Sequence, residues 1–227
     1  MNKNKKMMVI LISLIFTIFL LTGYFIVSSV VELKTFNGEI NKLEKFDITK
    51  DNKMVIKTHG NYKKVEKSIK SYLYNCSKDY KSITNITNNK EFKKVLSAEN
   101  YKKDGPEFNN SIQLINKLEK EYENNSKKLS ACHSNKKLKD NIKNINKKDL
   151  SLYNEAMYNS DIITNLDKSL KKANKSKEHT KQVLDNTLEV INLLKSNKDK
   201  WEIKKNKIVF NDYKVYEKYN ELIKRVK

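Results

Sequence analysis

The feature that most restricts how this chain can fold is an uncharged, apolar segment near its start, residues 7–31. As a helix rising about 1.5 Å per residue, the segment would reach roughly 37 Å, whereas the hydrocarbon core of a membrane is about 30 Å thick. A cleaved secretory signal has a shorter apolar region of about 7–15 residues. We therefore expect residues 7–31 to be an uncleaved transmembrane signal anchor, with cleavage after Ser29 as the alternative.

Lysines flank this apolar segment on both sides. Lys3, Lys5 and Lys6 lie in the tail formed by residues 1–6 and favour a cytoplasmic N-terminus, because cytoplasmic flanks of membrane helices are enriched in positive charge. Long domains cross the membrane largely regardless of the charges that they carry. We therefore expect a single-pass protein of the cell membrane, with a cytoplasmic tail and a large extracytoplasmic C-terminal domain.

Residues that interrupt helices are scarce, with four glycines and one proline among 227 residues. This favours long helices and argues against a β-sandwich, which needs frequent turns. Apolar residues at helical spacing predict a juxtamembrane helix and linker in residues 32–58 and a helical bundle in residues 59–227. Within the bundle, the predicted helices cover about residues 61–88, 91–96, 106–132, 136–145, 150–159, 161–198 and 213–226. The predicted fold class is all-α: an N-terminal transmembrane helix, then an elongated, coiled-coil-like bundle with one small C-terminal β-hairpin.

The longest of these predicted helices carries a coiled-coil-like seam, because its apolar residues recur every three or four positions. Lys177, Thr180 and Thr187 interrupt the seam. We interpret them as polar residues tolerated at an edge of the bundle, with a flexible hinge as the alternative.

The segment WEIKKNKIVF, residues 201–210, alternates apolar and polar residues instead of following helical spacing. With Lys205 and Asn206 as a two-residue turn, Trp201 would face Phe210 across a β-hairpin. An isolated hairpin is marginal in water. We therefore expect its apolar face to pack on the helices and to turn the last helix back onto the bundle, so that Trp201 serves the fold and not a ligand. The predicted buried face of that last helix consists of Tyr216, Tyr219, Leu222, Ile223 and Val226.

The two cysteines, Cys76 and Cys132, fall on predicted helices on either side of the boundary at Gly105 and Pro106. Pro106 suits the first position of the second helix. If the two helices form a simple antiparallel hairpin, the two cysteines are offset along the helix axes by roughly 21 Å. A disulfide needs Cα atoms within about 7 Å of each other. We therefore expect them not to be bonded to each other. They would come level if the first helix continued to about Lys103.

The formal net charge of the chain is +20, from 47 basic and 27 acidic residues. Outside a cell, such a charge suits weak contact with anionic cell-wall polymers or phospholipid head groups. Arg225 is the only arginine, whereas proteins that read nucleic acid depend on arginine for bidentate contacts. Nucleic acid is therefore not an expected partner, and part of the lysine excess is typical of an AT-rich genome.

No group of residues has the spacing of a known catalytic, cofactor or metal motif. Glycines are too sparse for a phosphate-binding loop or a dinucleotide fingerprint, and Cys76, Cys132 and His133 match no zinc module. The remaining candidates fit chance in a chain rich in lysine and asparagine: His59 and His179, the pairs Ser134–Lys137 and Ser169–Lys172, and glycosylation sequons at Asn75, Asn85, Asn109, Asn124 and Asn174. We expect no catalytic, cofactor-binding or metal site, no cofactor and no enzyme activity.

Three segments carry a resemblance to known proteins: NKDKWEIKKNKIVFNDYKVYEKYNELI (residues 197–223), NYKKVEKSIKSYL and ENYKKDGPEF. They resemble uncharacterised single-pass membrane proteins of low-GC Gram-positive bacteria. The layout is also loosely similar to helical, cell-wall-binding lipoproteins of those bacteria, although Tyr24 follows Leu21-Thr22-Gly23 where their lipidated cysteine would stand. The resemblance implies an envelope protein and supplies no catalytic residues.

Three classes of function fit these features. The expected one is a membrane-anchored, extracytoplasmic helical protein with a structural or interaction role at the bacterial cell envelope. One alternative is an accessory subunit that pairs with another membrane protein through its helical seam. The other is a basic domain that faces the cytoplasm and binds nucleic acid or anionic lipid.

Overall fold

The structure is a computed structural model that describes residues 3–50, 53–134 and 146–226. Within these ranges the chain forms seven α-helices and one antiparallel β-hairpin, which confirms the predicted all-α class. The helices are α1 (Lys3–Leu43), α2 (Gly60–Thr87), α3 (Ala98–Asp104), α4 (Asn109–Ser130), α5 (Lys147–Tyr158), α6 (Ile162–Ser196) and α7 (Tyr213–Val226), and the strands are β1 (Trp201–Lys204) and β2 (Lys207–Phe210). The helix predicted at residues 136–145 lies outside the described residues.

The chain divides into two compact units, which we call the anchor unit and the hairpin unit. The anchor unit comprises Met1–Phe46, Met54–Ser71 and Ile142–Ile163. The hairpin unit comprises Asp47–Lys53, Tyr72–Asn141 and Thr164–Lys227. Each unit has its own buried core.

Helix α1 of the anchor unit changes character along its length. Large apolar side chains from Leu14 to Val31 are exposed, whereas Phe36, Ile40 and Leu43 are almost fully buried. Among the described residues, α1 is the one helix long and apolar enough to cross a membrane. Its exposed apolar part therefore ends near Val31, and its remaining turns belong to the core of the unit.

A disulfide joins Cys76 on α2 to Cys132, which follows α4, with the Cα atoms 5.8 Å apart. The prediction that these cysteines are not bonded is therefore wrong. Helix α2 ends at Thr87, as expected, but the connection to α4 is not a simple turn. A 3-10 turn at Phe92–Lys94 and helix α3 fill it, and both contact α4. For the cysteines to be level, this connector must carry the chain roughly 18 Å beyond the end of α2 before α4 turns back.

Helix α4 begins three residues later than predicted. Pro106 lies in the turn before the helix, and Phe108 takes the N-cap position with a left-handed backbone, φ 54°. The carboxylate of Asp104 caps the helix in its place, accepting hydrogen bonds from the backbone N–H groups of Asn110 (3.1 Å) and Ser111 (2.7 Å). Burial raises the pKa of Asp104, but the hydrogen bonds from Ser111 and Asn110 outweigh it and hold the pKa below its ordinary value.

The hairpin has the predicted register, with Trp201 paired to Phe210 and Lys204 to Lys207. Lys205 and Asn206 both have positive φ angles, 48° and 59°, as a two-residue turn of the I′ type requires. That turn matches the right-handed twist of the flanking strands, and asparagine tolerates its left-handed backbone.

The apolar face of the hairpin packs against α3, α4 and α6 through an aromatic cluster. The indole of Trp201 stacks on Phe108, with ring centroids 5.8 Å apart, and meets the edge of Tyr101 at 6.2 Å. Its Nε1–H donates to the carbonyl oxygen of Leu194 at 2.8 Å. The buried ring of Phe108 explains why that residue accepts a left-handed backbone, because its conformation delivers the side chain into this cluster.

Helix α7 has the predicted bounds, but its buried face differs from the predicted one. Leu222 is buried as expected, and so is Val215, which the prediction omitted. Tyr216 was expected to be buried and is 47% exposed, with its ring 5.8 Å from that of Phe210. The apolar stripe through Val215, Tyr219 and Leu222 faces the core, whereas Tyr216 lies beside this stripe and remains exposed.

The polar residues of the α6 seam were expected at an edge of the bundle, and two of them are instead buried. Thr180 and Thr187 are at most 3% exposed. Each hydroxyl donates to the backbone carbonyl four residues earlier, on Ser176 (3.0 Å) and Val183 (2.7 Å). Because the hydroxyls are satisfied within the helix, the threonine side chains can pack in the core.

Candidate functional site

The most concentrated set of buried charges lies in the anchor unit, where Lys70 of α2 meets Glu39 of α1 and Glu66 of α2. All three side chains are at most 9% exposed. The Lys70 Nζ donates to Glu39 Oε2 (2.6 Å), to Glu66 Oε1 and to the backbone carbonyl oxygen of Val55 (2.6 Å). A lysine ammonium has three donors, so each N–H has its own acceptor. We call Glu39, Glu66, Lys70 and the backbone of residues 55–58 the ion clamp.

Glu66 binds the chain that precedes its own helix. Its carboxylate accepts hydrogen bonds from the backbone N–H groups of Lys57 (3.0 Å) and Thr58 (2.8 Å), and from the Thr58 hydroxyl (2.6 Å). Burial raises the pKa of Glu66, but the bonds from Lys70 and Thr58 outweigh it and leave the pKa below its ordinary value. Glu66 is therefore ionised at neutral pH although it is fully buried.

A second contact joins the same chain segment to α1. The backbone N–H of His59 donates to Glu32 Oε2 at 2.9 Å, and its Nδ1 lies 3.1 Å from Glu32 Oε1. One turn further along α1, the ring of Phe36 packs on that of Tyr62, with centroids 5.2 Å apart. The chain therefore returns to the level of Glu32, just before the buried part of α1, and α2 begins there.

These contacts fix the direction of α2. Successively later residues of α1 meet successively later residues of α2: Phe36 meets Tyr62, and Glu39 meets Lys70. Helices α1 and α2 therefore run parallel, and the segment of residues 54–59 between them runs the opposite way. Because its donors and acceptors satisfy one another, the ion clamp can hold this three-layer arrangement but has no free group for acid–base chemistry.

The residues singled out in the sequence are dispersed over the described structure. Cys76 and Cys132 form the disulfide, and a disulfide sulfur is not the thiolate that metals bind. No group of three or more His, Cys, Asp or Glu side chains in the described part of the chain could hold a metal ion. His59 contacts Glu32, His179 lines an open surface cleft with Lys175 and Thr84, and the side chain of His133 is outside the described set.

The Ser-x-x-Lys pairs also do not form sites. The Ser169 hydroxyl donates to the carbonyl oxygen of Leu166 at 2.9 Å, and Lys172 instead pairs with Asp47 at 3.1 Å. Lys137, the partner proposed for Ser134, lies outside the described residues.

Sequence reasoning missed the ion clamp, because no catalytic, cofactor or metal motif marks its carboxylates in a chain with 27 acidic and 47 basic residues. The available signal was the spacing of Glu66 and Lys70, which places the pair one turn apart on α2. Buried Ile69 and Val65 occupy the same turns of the helix. The pair therefore borders the apolar stripe instead of lying opposite it.

The fold and this cluster define a class: an all-α protein with one apolar helix able to span a membrane, a helical domain cross-linked by a disulfide, and a buried ion clamp beside the apolar helix. No protein-family model, curated protein or solved structure matches the chain.

Proposed function

We propose that this chain is a single-pass membrane protein that presents its helical domain outside the cytoplasm, with a structural or interaction role at the bacterial cell envelope. The observation that carries the proposal is the change of environment along α1. Its large apolar side chains are exposed up to Leu33 and buried from Phe36 onward. A contiguous exposed apolar surface of this length needs an apolar solvent, and a lipid bilayer supplies one.

The disulfide supports the extracytoplasmic side. Disulfides persist in oxidising compartments and are rare in the cytosol, where thiols are kept reduced. Cys76 and Cys132 are both fully buried and bonded to each other in the core of the hairpin unit. This weakens the alternative in which the basic domain faces the cytoplasm and binds nucleic acid or anionic lipid there.

The burial of the α6 seam weakens the accessory-subunit alternative. Leu184, Ile191 and Leu194 are fully buried, and Thr187 between them is 1% exposed. These positions of the seam are already covered within the chain, so they are not available for pairing with another membrane protein.

The state of the buried polar groups supports a structural role. The buried charges of the ion clamp are satisfied by one another and by the backbone of Val55, and the buried threonines of α6 bond within their helix. These groups therefore stabilise the packing of the helices, which fits a structural role.

Protease treatment of intact cells tests the topology. Full-length protein with a C-terminal tag is expressed in a Gram-positive host, and the tag is followed before and after lysis. We expect intact cells to lose the tag while a cytoplasmic marker survives. A tag that is protected until lysis would contradict the extracytoplasmic assignment, and extraction of the protein from membranes by alkaline carbonate would contradict the anchor.

Thiol labelling tests the compartment independently. A maleimide polymer should shift the denatured protein only after reduction, and the double variant Cys76→Ser/Cys132→Ser should not shift in either state. Labelling before reduction, in protein taken directly from cells, would show that the thiols are free in the compartment where the protein resides.

A further inference from the structure

A group of exposed lysines surrounds the point at which α1 leaves its apolar segment. They are Lys34 on α1, Lys57 in the returning segment, and Lys63 and Lys64 in the first turns of α2. We call these four residues the basic collar. All four belong to the anchor unit, so their arrangement depends on this unit alone.

The contacts of the anchor unit set the height of the collar above the exposed apolar surface. Glu32 directly follows Val31. Its carboxylate accepts a hydrogen bond from the backbone N–H of His59 and contacts Nδ1 of the His59 ring. The N-terminus of α2 at Gly60 is therefore level with Glu32, the first charged residue of α1 after its apolar segment. Lys63 and Lys64 lie about one turn, roughly 5 Å, further along α2, and Lys34 lies two residues beyond Glu32.

The head-group layer on each side of a bilayer is roughly 5–8 Å thick. A lysine side chain can bury its stem along an apolar surface and extend its ammonium to a polar layer. With the lipid boundary near Val31, all four ammonium groups come within reach of the phosphates. None of the four forms an ion pair with another described residue, whereas Lys42, higher on α1, pairs with Glu39.

The charge of the surroundings favours an anion. The carboxylates of Glu39 and Glu66 are bound by Lys70 inside the ion clamp, and Glu32 is engaged by His59. The four lysines of the collar therefore present a net positive face at this level of the unit.

We propose that the basic collar binds the phosphate groups of anionic phospholipids in the same membrane that α1 spans, and so fixes the anchor unit against the bilayer surface. This rests on the proposed membrane anchoring. It differs from diffuse attraction of the whole basic chain to cell-wall polymers, because it assigns the contact to four residues of the anchor unit near the end of the apolar segment.

The test measures how lipid charge protects individual lysines. Full-length protein is placed in nanodiscs of phosphatidylcholine alone, or with about one-third phosphatidylglycerol, and acetylated with an amine-reactive reagent. Mass spectrometry then follows each lysine. A lysine near an anionic surface gains about 1 kcal/mol, which corresponds to about a fivefold change in an equilibrium. We expect acetylation of all four lysines of the basic collar to slow by about that factor in the anionic discs.

The internal reference is Lys45, which is exposed and lies just beyond the end of α1. Lys45 is roughly 20 Å from Glu32 along the axis of α1. This distance exceeds two Debye lengths at physiological salt, where one Debye length is about 8 Å. Its acetylation rate should not change with lipid composition. Protection of the collar should disappear in about 1 M salt, where the Debye length is about 3 Å.

Charge-matched variants show whether the collar recruits lipid. In discs of mixed lipid, Lys63→Gln/Lys64→Gln should lower the phosphatidylglycerol that co-purifies with the protein, and Lys45→Gln/Lys53→Gln should not. Equal acetylation in both lipids, with the protein still resistant to alkaline extraction, would overturn the collar and leave the anchoring intact. Protection by soluble wall polyanion but not by phosphatidylglycerol would assign the lysines to the wall and equally overturn it. Loss of the protein on alkaline extraction would overturn the anchoring, and the collar with it.

Discussion

Replacing Lys70 by methionine should destabilise the anchor unit far more than the same change at an exposed lysine. The substitution keeps most of the side-chain volume and removes the cation that bonds to both Glu39 and Glu66. Lys42 still pairs with Glu39, whereas Glu66 loses its only ion-pair partner among the described residues. Breaking a buried ion pair by removing one partner costs about 3–5 kcal/mol, because a charge remains buried without compensation. For a chain of this size, about 2–4 °C is lost per kcal/mol, so the melting temperature should fall by about 6–20 °C.

The matched control is Lys181→Met. Lys181 also faces two carboxylates, Glu119 at 3.2 Å and Asp185, but its side chain is 41% exposed. Hydrogen bonding to Asp185 is the main cause that raises the pKa of Lys181. Solvent screens this exposed group, and such pairs contribute about 0–1 kcal/mol. Thermal unfolding of both variants, followed by circular dichroism of the full chain in mild detergent, compares the two effects directly.

The pH dependence gives a second readout of the same substitution. In the native protein the pKa of Glu66 is lowered; its contribution to stability is therefore present above the unfolded pKa, near 4.5, and is lost as the pH falls through the folded value. Without Lys70, burial should instead raise the pKa of the carboxyl groups of Glu39 and Glu66. Protonation of these groups should then remove the buried negative charge and so stabilise the variant. The difference in melting temperature between the native protein and Lys70→Met should therefore decrease as the pH falls from about 7 to about 4. A gap that is absent at neutral pH, or no larger than that of Lys181→Met, would refute the ion clamp as a buried, stabilising element.

Three further predictions concern the hairpin unit and the helices. Trp201→Ala should lower the free energy of unfolding by about 3–5 kcal/mol in a chemical denaturation series, because it removes the centre of the aromatic cluster; an unchanged midpoint would contradict that role. Gly105→Ala should lower the melting temperature, because its new Cβ would lie 2.4 Å from a backbone oxygen, whereas Gly38→Ala, with no atom within 4 Å of the new Cβ, should raise it by removing a helical glycine. Reduction of the disulfide between Cys76 and Cys132, which are 56 positions apart, should lower the free energy of unfolding by about 4 kcal/mol by the chain-entropy relation. Equal denaturation midpoints with and without reductant would contradict this.

The sequence predicts the elements whose signals are local and repeated. The bounds of α7 and the register of the hairpin follow from alternation and from two turn residues, Lys205 and Asn206, that accept a left-handed backbone. Helices α2 and α6 follow from long apolar stripes. Each of these patterns extends over several turns or pairs, so one exception does not obscure it.

The connector between α2 and α4 could not be predicted in the same way. Helix α3 has seven residues, too few for a stripe, and its N-cap Ser97 follows a 3-10 turn that has no periodic signature. The error then propagated, because the level of Cys132 relative to Cys76 depends on the length of this connector. The left-handed Phe108 was equally hidden, since it depends on packing against Trp201, which lies far along the chain.

The ion clamp was missed for a different reason. Its three charged residues come from two helices, and the contact between Lys70 and Glu39 spans 31 positions. Nothing local distinguishes Lys70 from the other lysines of the chain. Only the parallel arrangement of α1 and α2 brings its ammonium between two carboxylates, and that arrangement depends on the returning segment at residues 54–59.

The parallel arrangement of α1 and α2 also has a consequence for synthesis. The buried face of α1, which includes Phe36 and Ile40, is made first, and α2 covers it only after Lys70 has emerged. Those roughly 30 residues take about 2–6 s at a translation rate of about 5–20 residues per second. During that interval an apolar helix face stands uncovered at the membrane exit. Nascent chains are therefore most vulnerable to mispairing and to quality-control proteases before the ion clamp closes.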